Sequence, residues 1–526
     1  MKKKLSKLGA LIISGVMLTT SFFGTGTSFA ASTYDYSTAL KDSIIFYDAN
    51  KCGPKAGENN VFDWRGPCHT TDGSDVGVDL TGGYHDAGDH VKFGLPQGYS
   101  AAVLGWSLYE FKDSFDATGN TAKMLQQLKY FTDYFLKSHP NSTTFYYQVG
   151  EGNADHTYWG APEEQTGDRP SLYKADSSHP ASDILSETSA ALTLMYLNYK
   201  NIDSAYATKC LTAAKELYAM GKANQGVGNG QSFYQATSFG DDLAWAATWL
   251  YTATNDSAYI TDAEQFITLG NTMNENKLQD KWTMCWDDMY VPAALRLAQI
   301  TGKQIYKDAI QFNFNYWKTQ VTTTPGGLKW LSNWGVLRYA AAESMVMLVY
   351  CKQNNDQSLL DLTKKQVDYI LGDNPAKMSY LIGFGSNWCI HPHHRAANGY
   401  TYANGDNAKP AKHLLTGALV GGPDQNDKFL DDANQYQYTE VALDYNAGLV
   451  GVLAGAVKFF GGTIINPPAK KGDLNNDTFV DAIDLALCKN YILTQSGDIN
   501  KNNADMNDDG SIDSIDFSLL KKALLG

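Results

Sequence analysis

Positive charge is in short supply: 42 Lys and Arg stand against 56 Asp and Glu in 526 residues, a formal net charge of −14. A surface of that sign repels phosphate backbones and anionic headgroups, so nucleic acid and anionic membranes are excluded as partners and a neutral ligand is favoured. Cysteine is sparse as well. Seven in a chain of this length do not make a small disulfide scaffold, and the odd count leaves at least one unpaired. Cys210, Cys285 and Cys351 lie in apolar, helix-like surroundings and read as buried hydrophobes. The one long apolar run near an end, Leu8 to Phe23, is short for a bilayer span, and no second such segment follows it, which argues against membrane insertion. Alternating strand patterns are scarce, which disfavours an α/β fold.

What is there begins with residues 1–30. Lys2, Lys3 and Lys4 precede the apolar run, and Ser28, Phe29 and Ala30 close it with small residues at the first and third places, the pattern of a secretory signal peptide cut after Ala30. The mature protein is expected to be secreted and extracellular. From residue 34 to residue 461 the sequence repeats one theme, an amphipathic or wholly apolar helical run followed by a Gly-, Asn- or Asp-rich loop. Leu125, Leu128, Phe131 and Phe135 keep helical spacing until His139 and Pro140 stop them, and stretches such as 184–199, 337–351 and 441–460 behave alike. So many helices with polar loops between them predict an all-α barrel of helical hairpins. Aromatic residues make up 12% of the chain, with 32 Tyr and 11 Trp, and flat aromatic faces are what stack on sugar rings. Residues 462–471, with Asn466, Pro467 and Pro468, cannot continue a helix and read as a linker to a second domain at 472–526.

That domain carries a repeat. Asp473, Asn475, Asp477, Asp481 and Asp484 occupy positions 1, 3, 5, 9 and 12 of a calcium loop, and Asp505, Asn507, Asp509, Asp513 and Asp516 repeat the spacing. Hard oxygen ligands at alternating positions let a turn close on one Ca²⁺, with the last carboxylate delivered by the helix that follows. The segment resembles the type I dockerin of cellulosomal enzymes, a small α-helical domain with two EF-hand-like loops. It departs from an EF-hand in using Asp at position 12, as dockerins do, and in Thr478 where a Gly is usual. The resemblance implies two bound Ca²⁺ and a cohesin domain as partner, faced by Ala482, Ile483, Ser514 and Ile515.

Two carboxylates three residues apart, Asp86 and Asp89, sit on the turn Tyr84-His85-Asp86-Ala87-Gly88-Asp89-His90, and Glu440 leads into an apolar helix. Glycoside hydrolysis needs one carboxylic acid to protonate the leaving oxygen and a second group to activate water. Taken singly, these are common turn and cap residues. Together with Phe429, Asp431, Tyr436, Ala442, Asn446 and Ala447, and with Ser379, Leu381, Gly385, Asn387, Pro392, His393 and Arg395, they resemble the signatures of family 9 glycoside hydrolases; Ile382 stands where the second signature has a smaller or hydroxylated residue. The resemblance implies an (α/α)6 barrel with a long cleft and an inverting mechanism, with Glu440 as general acid, Asp89 as general base and Asp86 as the carboxylate that holds the water. On this reading Asp86 and Asp89 stay ionised while burial keeps Glu440 protonated against the pull of a helix N-terminus.

The same resemblance places His393 and Arg395 on sugar hydroxyls at the cleavage point, His156 and Trp159 on the product side, and Trp282, Trp334 and Arg338 on the substrate side, with Tyr445 supporting the acid. Ser238, Asp241, Asp242 and Asp287 resemble the family's structural calcium site, although Asp241 could equally cap a helix. Cys52, Cys68, His69 and His90 form the ligand set of a closed tetrahedral Zn²⁺ site, with His85 as competing fourth ligand and a Cys52–Cys68 disulfide as the alternative. These readings lead to an endo-acting β-1,4-glucanase of the cellulosome. The family 3 carbohydrate-binding module that the resemblance associates with processive action does not separate the two domains, so amorphous or soluble glucan is the expected substrate. A mixed-linkage glucanase or xyloglucanase on the same fold, and a non-catalytic glycan-binding subunit, are the rivals.

Overall fold

The computed structural model describes residues 34–269, 278–461, 471–475, 480–497, 499–507 and 509–525. The signal segment, most of the linker, Asp477 and Thr478 lie outside them. Among these residues, twelve helices of nine residues or more, two per hairpin, make the barrel of the large domain, with shorter helical turns in its loops. Six form an inner ring: α2 (Gly94–Glu110), α4 (Ser182–Tyr199), α6 (Gly240–Thr254), α8 (Tyr290–Thr301), α10 (Val336–Cys351) and α12 (Leu443–Phe460). Six lie outside them: α1 (Tyr36–Asn50), α3 (Thr121–Ser138), α5 (Ser204–Ala223), α7 (Ala258–Phe266), α9 (Gln304–Thr319) and α11 (Gln357–Leu371). Each inner helix packs on the next, α12 returns to α2 to close the ring, and the outer helices back the ring, most of them against two neighbouring inner helices.

The two helix types in the sequence map onto the two rings. The outer helices α3 and α11 bury one stripe, Leu125, Leu128, Phe131 and Phe135 in the first, and keep a polar face in water. Inner helices are covered on every side, so α4 is buried over most of its length and reads as small and apolar all round. Small residues allow the close approach. A Cβ on Gly451 of α12 would lie 2.1 Å from the sulfur of Met345 on α10 and 2.6 Å from the hydroxyl of Ser107 on α2. By length and composition α12 could cross a membrane, but 83% of it is buried in the barrel, which identifies it as a core helix. Local signals set the ends: Asp35, Asp203 and Asp356 accept N-terminal amide bonds of α1, α5 and α11, and α3 stops at His139.

Short strands, which the sequence pattern did not single out, lie in the loops at one end of the barrel. β1 (Lys92–Phe93), β2 (Phe145–Val149) and β3 (Ser171–Ala175) form an antiparallel sheet in that order, joining the turn after Asp89 to the segments that flank His156. The second domain has its own small core of Leu474, Cys488, Ala504 and Leu520 under α13 (Ala482–Thr494) and α14 (Ser514–Leu525).

Candidate active site and metal sites

Three segments far apart in sequence are tied together by backbone hydrogen bonds. Leu443 N–H donates to Asp86 O (2.9 Å), Arg395 N–H to Gly88 O (3.1 Å) and His393 N–H to Thr439 O (2.9 Å). Gly88 is required there, since a Cβ would meet His393 O at 2.1 Å. Asn50 donates to the carbonyls of His85 and Ala87 and braces the turn from α1. The result places Asp86, Asp89, His393, Arg395 and Glu440 around one space, all but Glu440 and His393 almost wholly buried.

Each carboxylate has a distinct setting. Asp89 accepts the amides of Ala87 (3.0 Å) and Val91 (3.1 Å), which locks it within its own turn. Burial raises its pKa and Asp155 adds to the rise, while His156 and Arg395 pull it back. Asp86 is pushed well above the usual carboxylate range, by burial first and then by Asp89. One of its oxygens accepts the Tyr234 hydroxyl, and the other is buried with no protein donor. The expectation that Asp86 and Asp89 both stay ionised has more support at Asp89, where His156 and Arg395 oppose the rise, than at Asp86, which is pushed further up by Asp89, Asp444 and Glu440. Glu440 is raised by burial even though Trp334 Nε1 (2.7 Å) and the Tyr445 hydroxyl (3.0 Å) both donate to its Oε2. It ends the short turn Tyr436–Thr439 and precedes the Ala442 cap of α12, so it is not itself the helix cap that the sequence suggested.

His393 Nδ1 lies 2.6 Å from Ala433 O, and since a carbonyl only accepts, the proton sits on Nδ1 and Nε2 is left as an acceptor. Burial lowers its pKa to about 4, so the ring is neutral at pH 7. Arg395 is buried and pairs with Asp155 Oδ2 (2.6 Å). Trp159 meets His393 edge-on at 5.1 Å and donates to Asn398. His156 is exposed, stacks on Phe233 at 4.7 Å, and has a ligand atom within 4.8 Å of Asp89 and Asp155. Trp282 is half-buried against Tyr339. Arg338 turns inward to Asp444 (2.8 Å) with Tyr445 beneath it, so its first partner is a buried carboxylate. Tyr234, Asp155 and Trp286 were not singled out in the sequence, and Tyr436 entered only as part of the family signature. The first three sit in polar loops without periodicity, and only the adjacency of Asp155 to His156 hinted at any of these.

The soft-ligand cluster is present with one exchange. Ligand atoms of Cys52, Cys68, His69 and His85 lie within 4.8 Å of one another, while His90 is not in the group. Gln165 explains the difference. Its amide nitrogen donates to Asp155, so its oxygen must accept from His69 Nε2 (2.9 Å) and His90 Nδ1 (3.2 Å). His69 is thereby left with a bare Nδ1 facing Cys52 Sγ (3.5 Å) and His85 Nε2 (3.0 Å), whereas the same bond turns His90 toward Gln165. Both cysteines are free thiols in the structure, with no disulfide between them.

At the start of α6, Asp241 accepts the Ser238 hydroxyl (2.6 Å) and the Met289 amide (2.7 Å), and Asp287 accepts from Thr237. Asp242 Oδ1 and both oxygens of Glu187, which faces it from α4, are buried with no protein donor. Burial pushes Asp183 up to about 7 and Asp287 up to about 6. Buried carboxylate oxygens left without a donor suit a hard cation. In the second domain the two loops share one hydrogen-bond plan. Asp484 accepts the amides of Leu474 and Asp481, and Asp516 accepts those of Met506 and Asp513, at 2.7–2.9 Å. Asp473, Asp484 and Asp516 are fully buried, and Ile515 is exposed.

Residues 36–453 match the family described as glycosyl hydrolase family 9, and residues 471–525 match the type I dockerin domain. Among curated proteins, endoglucanase A of Bacillus pumilus is 40% identical over 476 residues, covering 86% of this chain and 71% of that protein, and endoglucanase 13 of Arabidopsis thaliana is 38% identical, covering 80% and 93%. Among solved structures, the cellulase Cel9M of C. cellulolyticum in complex with cellobiose is 95% identical with a TM-score of 0.81, covering 82% of this chain and all of that one. The endoglucanase of the termite Nasutitermes takasagoensis is 39% identical with a TM-score of 0.76, covering 81% and 99%.

Proposed function

The chain belongs to glycosyl hydrolase family 9 and carries a type I dockerin, and from that premise we propose how its residues cut β-1,4-glucan. It is an endo-β-1,4-glucanase of the cellulosome, cleaving with inversion and held to a scaffoldin cohesin by the dockerin. Glu440 protonates the leaving O4, Asp89 takes a proton from water as that water attacks C1 from the opposite face, and Asp86 orients the water through its free oxygen. The observation that carries this reading is the backbone knot that sets Asp86, Asp89 and Glu440 around one space in unlike environments. Burial raises both Glu440 and Asp89, and they are pulled back by different neighbours, Glu440 by Trp334, Tyr445 and Arg338 and Asp89 by His156, Arg395 and the Ala87 amide. Neutral His393 accepts a sugar hydroxyl at Nε2, Arg395 is held by Asp155 to donate beside it, and Trp159, Trp282, Trp334 and exposed Tyr436 line the cleft. Arg338 and Tyr445 act from behind, on Asp444 and Glu440. Amorphous and soluble glucans are the preferred substrates.

Type I dockerins bind calcium, and calcium is common in family 9. Two ions are assigned here to the dockerin loops. One more goes to Ser238, Asp241, Asp242 and Asp287, where Asp242 Oδ1 lacks a protein donor. The donor set of Cys52, Cys68, His69 and His85 fits a structural Zn²⁺, which would cross-link the 52–69 loop to the catalytic turn at His85. The segment 1–30 directs secretion. Product NMR in the first minutes on a soluble cello-oligosaccharide tests the chemistry: an α-anomer is expected, and an initial β-anomer would refute inversion.

A further inference from the structure

We propose that Trp334 is a positioning residue for the general acid as well as a sugar-stacking surface: its indole N–H determines which oxygen of Glu440 carries the proton that is transferred. This rests on Glu440 being the acid. Trp334 is 41% exposed, in the bend just before α10, and its ring lies 5.1 Å from that of Tyr436, which is 42% exposed and packs in turn on His393. Gly335 makes this placement possible. It has φ of 61°, and a Cβ there would be 2.7 Å from the ring end of Tyr445, so the bend lies directly against that tyrosine. Trp334 and Tyr445 thus approach Glu440 Oε2 from two elements, at 2.7 and 3.0 Å.

An indole N–H donates and cannot accept, so a proton on Oε2 would point at another hydrogen. The acidic proton is therefore on Oε1, and the carboxyl group is held in one rotation. The remaining charged or titratable neighbours are Asp444 and Tyr445 from α12, Arg338 from α10, Asp86 from the catalytic turn and Tyr234 from the loop before α6. Asp444 and Asp86 oppose ionisation of Glu440, while Arg338 and the two Oε2 donors favour it. The exposed ring face of Trp334 can hold a sugar while its edge holds the acid, so one side chain links occupancy of the cleft to aim of the proton.

Trp334→Phe keeps a ring face and removes the donor. Its expected effects are a KM for cellotetraose within about threefold of the parent and a kcat about tenfold lower, because part of the general-acid contribution is lost. Losing a donor to the carboxylate raises the acid's pKa, so the alkaline limb of kcat/KM should move up by about half to one pH unit. With 2,4-dinitrophenyl cellobioside, whose leaving group needs little protonation, the loss should shrink to less than about threefold. Tyr445→Phe should move the same limb in the same direction. An unmoved limb with equal losses on both substrates would reduce Trp334 to a platform and overturn the proposal. Glu440→Gln serves as the control for the premise: if it keeps cellotetraose turnover, the acid assignment itself falls, whereas an inactive Glu440→Gln with an unmoved Trp334→Phe limb defeats only the inference about Trp334.

Discussion

The cleft and the C-terminal loops are both built from aspartate and glutamate, and they hold those groups by opposite means. In the dockerin each loop organises itself. Asp516 reaches back ten residues to the Met506 amide, and Asp484 does the same for Leu474. In the cleft, local bonds such as those of Asp89 to its own turn are joined by partners far away in the chain. Tyr234 reaches Asp86 across 148 residues, and Trp334 reaches Glu440 across 106. A local loop needs only a cation to offset the repulsion of its carboxylates. A catalytic carboxylate must instead be desolvated and surrounded unequally, which takes a large fold with a finished core. Chemistry here depends on long-range packing, and attachment depends on short-range spacing.

That contrast can be broken most severely from the catalytic side. Glu440→Gln and Asp89→Asn should each lower kcat on carboxymethylcellulose by about 10²–10⁴-fold with unchanged circular dichroism and unchanged cohesin binding. In the parent enzyme, turnover should decline as pH rises through the elevated pKa of Glu440, since the acid works only while protonated. Next in size is the reverse experiment. Asp473→Ala with Asp505→Ala should weaken cohesin binding at least 100-fold by isothermal calorimetry, while hydrolysis of soluble substrate stays within about twofold. Subtler is a change at the exposed rim of the same domain. Ile483→Lys with Ile515→Lys should leave two calcium ions per dockerin by mass spectrometry yet cost roughly ten- to 100-fold in cohesin affinity. The smallest effect is expected where the two modes meet, at the soft-ligand cluster. His85→Ala should lose about one zinc per chain and lower Tm by roughly 5 °C, and His90→Ala should retain the metal. The opposite pattern would restore His90 to the ligand set.

His90 shows why part of the site was not legible beforehand. Composition and spacing bring two cysteines and three histidines into view, but which imidazole turns its lone pair to the sulfurs depends on the amide of Gln165, itself aligned by Asp155. The same limit applies to Arg338. The resemblance placed it on the substrate side, and its guanidinium pairs with Asp444 from α12, a partner that no local pattern announces. Tyr234 and Asp155 have no periodic or motif signal at all, because each is placed by a loop whose course follows the barrel rather than its own sequence. The barrel helices were legible for the converse reason, as α3 from Thr121 to Ser138 illustrates: its apolar stripe and the His139-Pro140 stop are local properties of the chain.

By itself the sequence determined what is encoded over one or two turns: the runs that become helices, the duplicated calcium loops, the carboxylate-bearing turn at Asp86 and Asp89, and, through motif resemblance, the family. These follow from hydrophobic period, ligand spacing and residue chemistry, which need no knowledge of distant neighbours. Only the tertiary structure decided which of two histidines lies with the cysteines, that Asp86 keeps one oxygen without a protein donor while Asp89 binds two amides, and that Trp334 and Tyr445 share one oxygen of Glu440. The physical reason is common to all three. A proton's position and a carboxyl's pKa are set by the few donors, charges and water-free surfaces within reach of the group, and in this barrel those come from elements that meet only when the ring of helices closes.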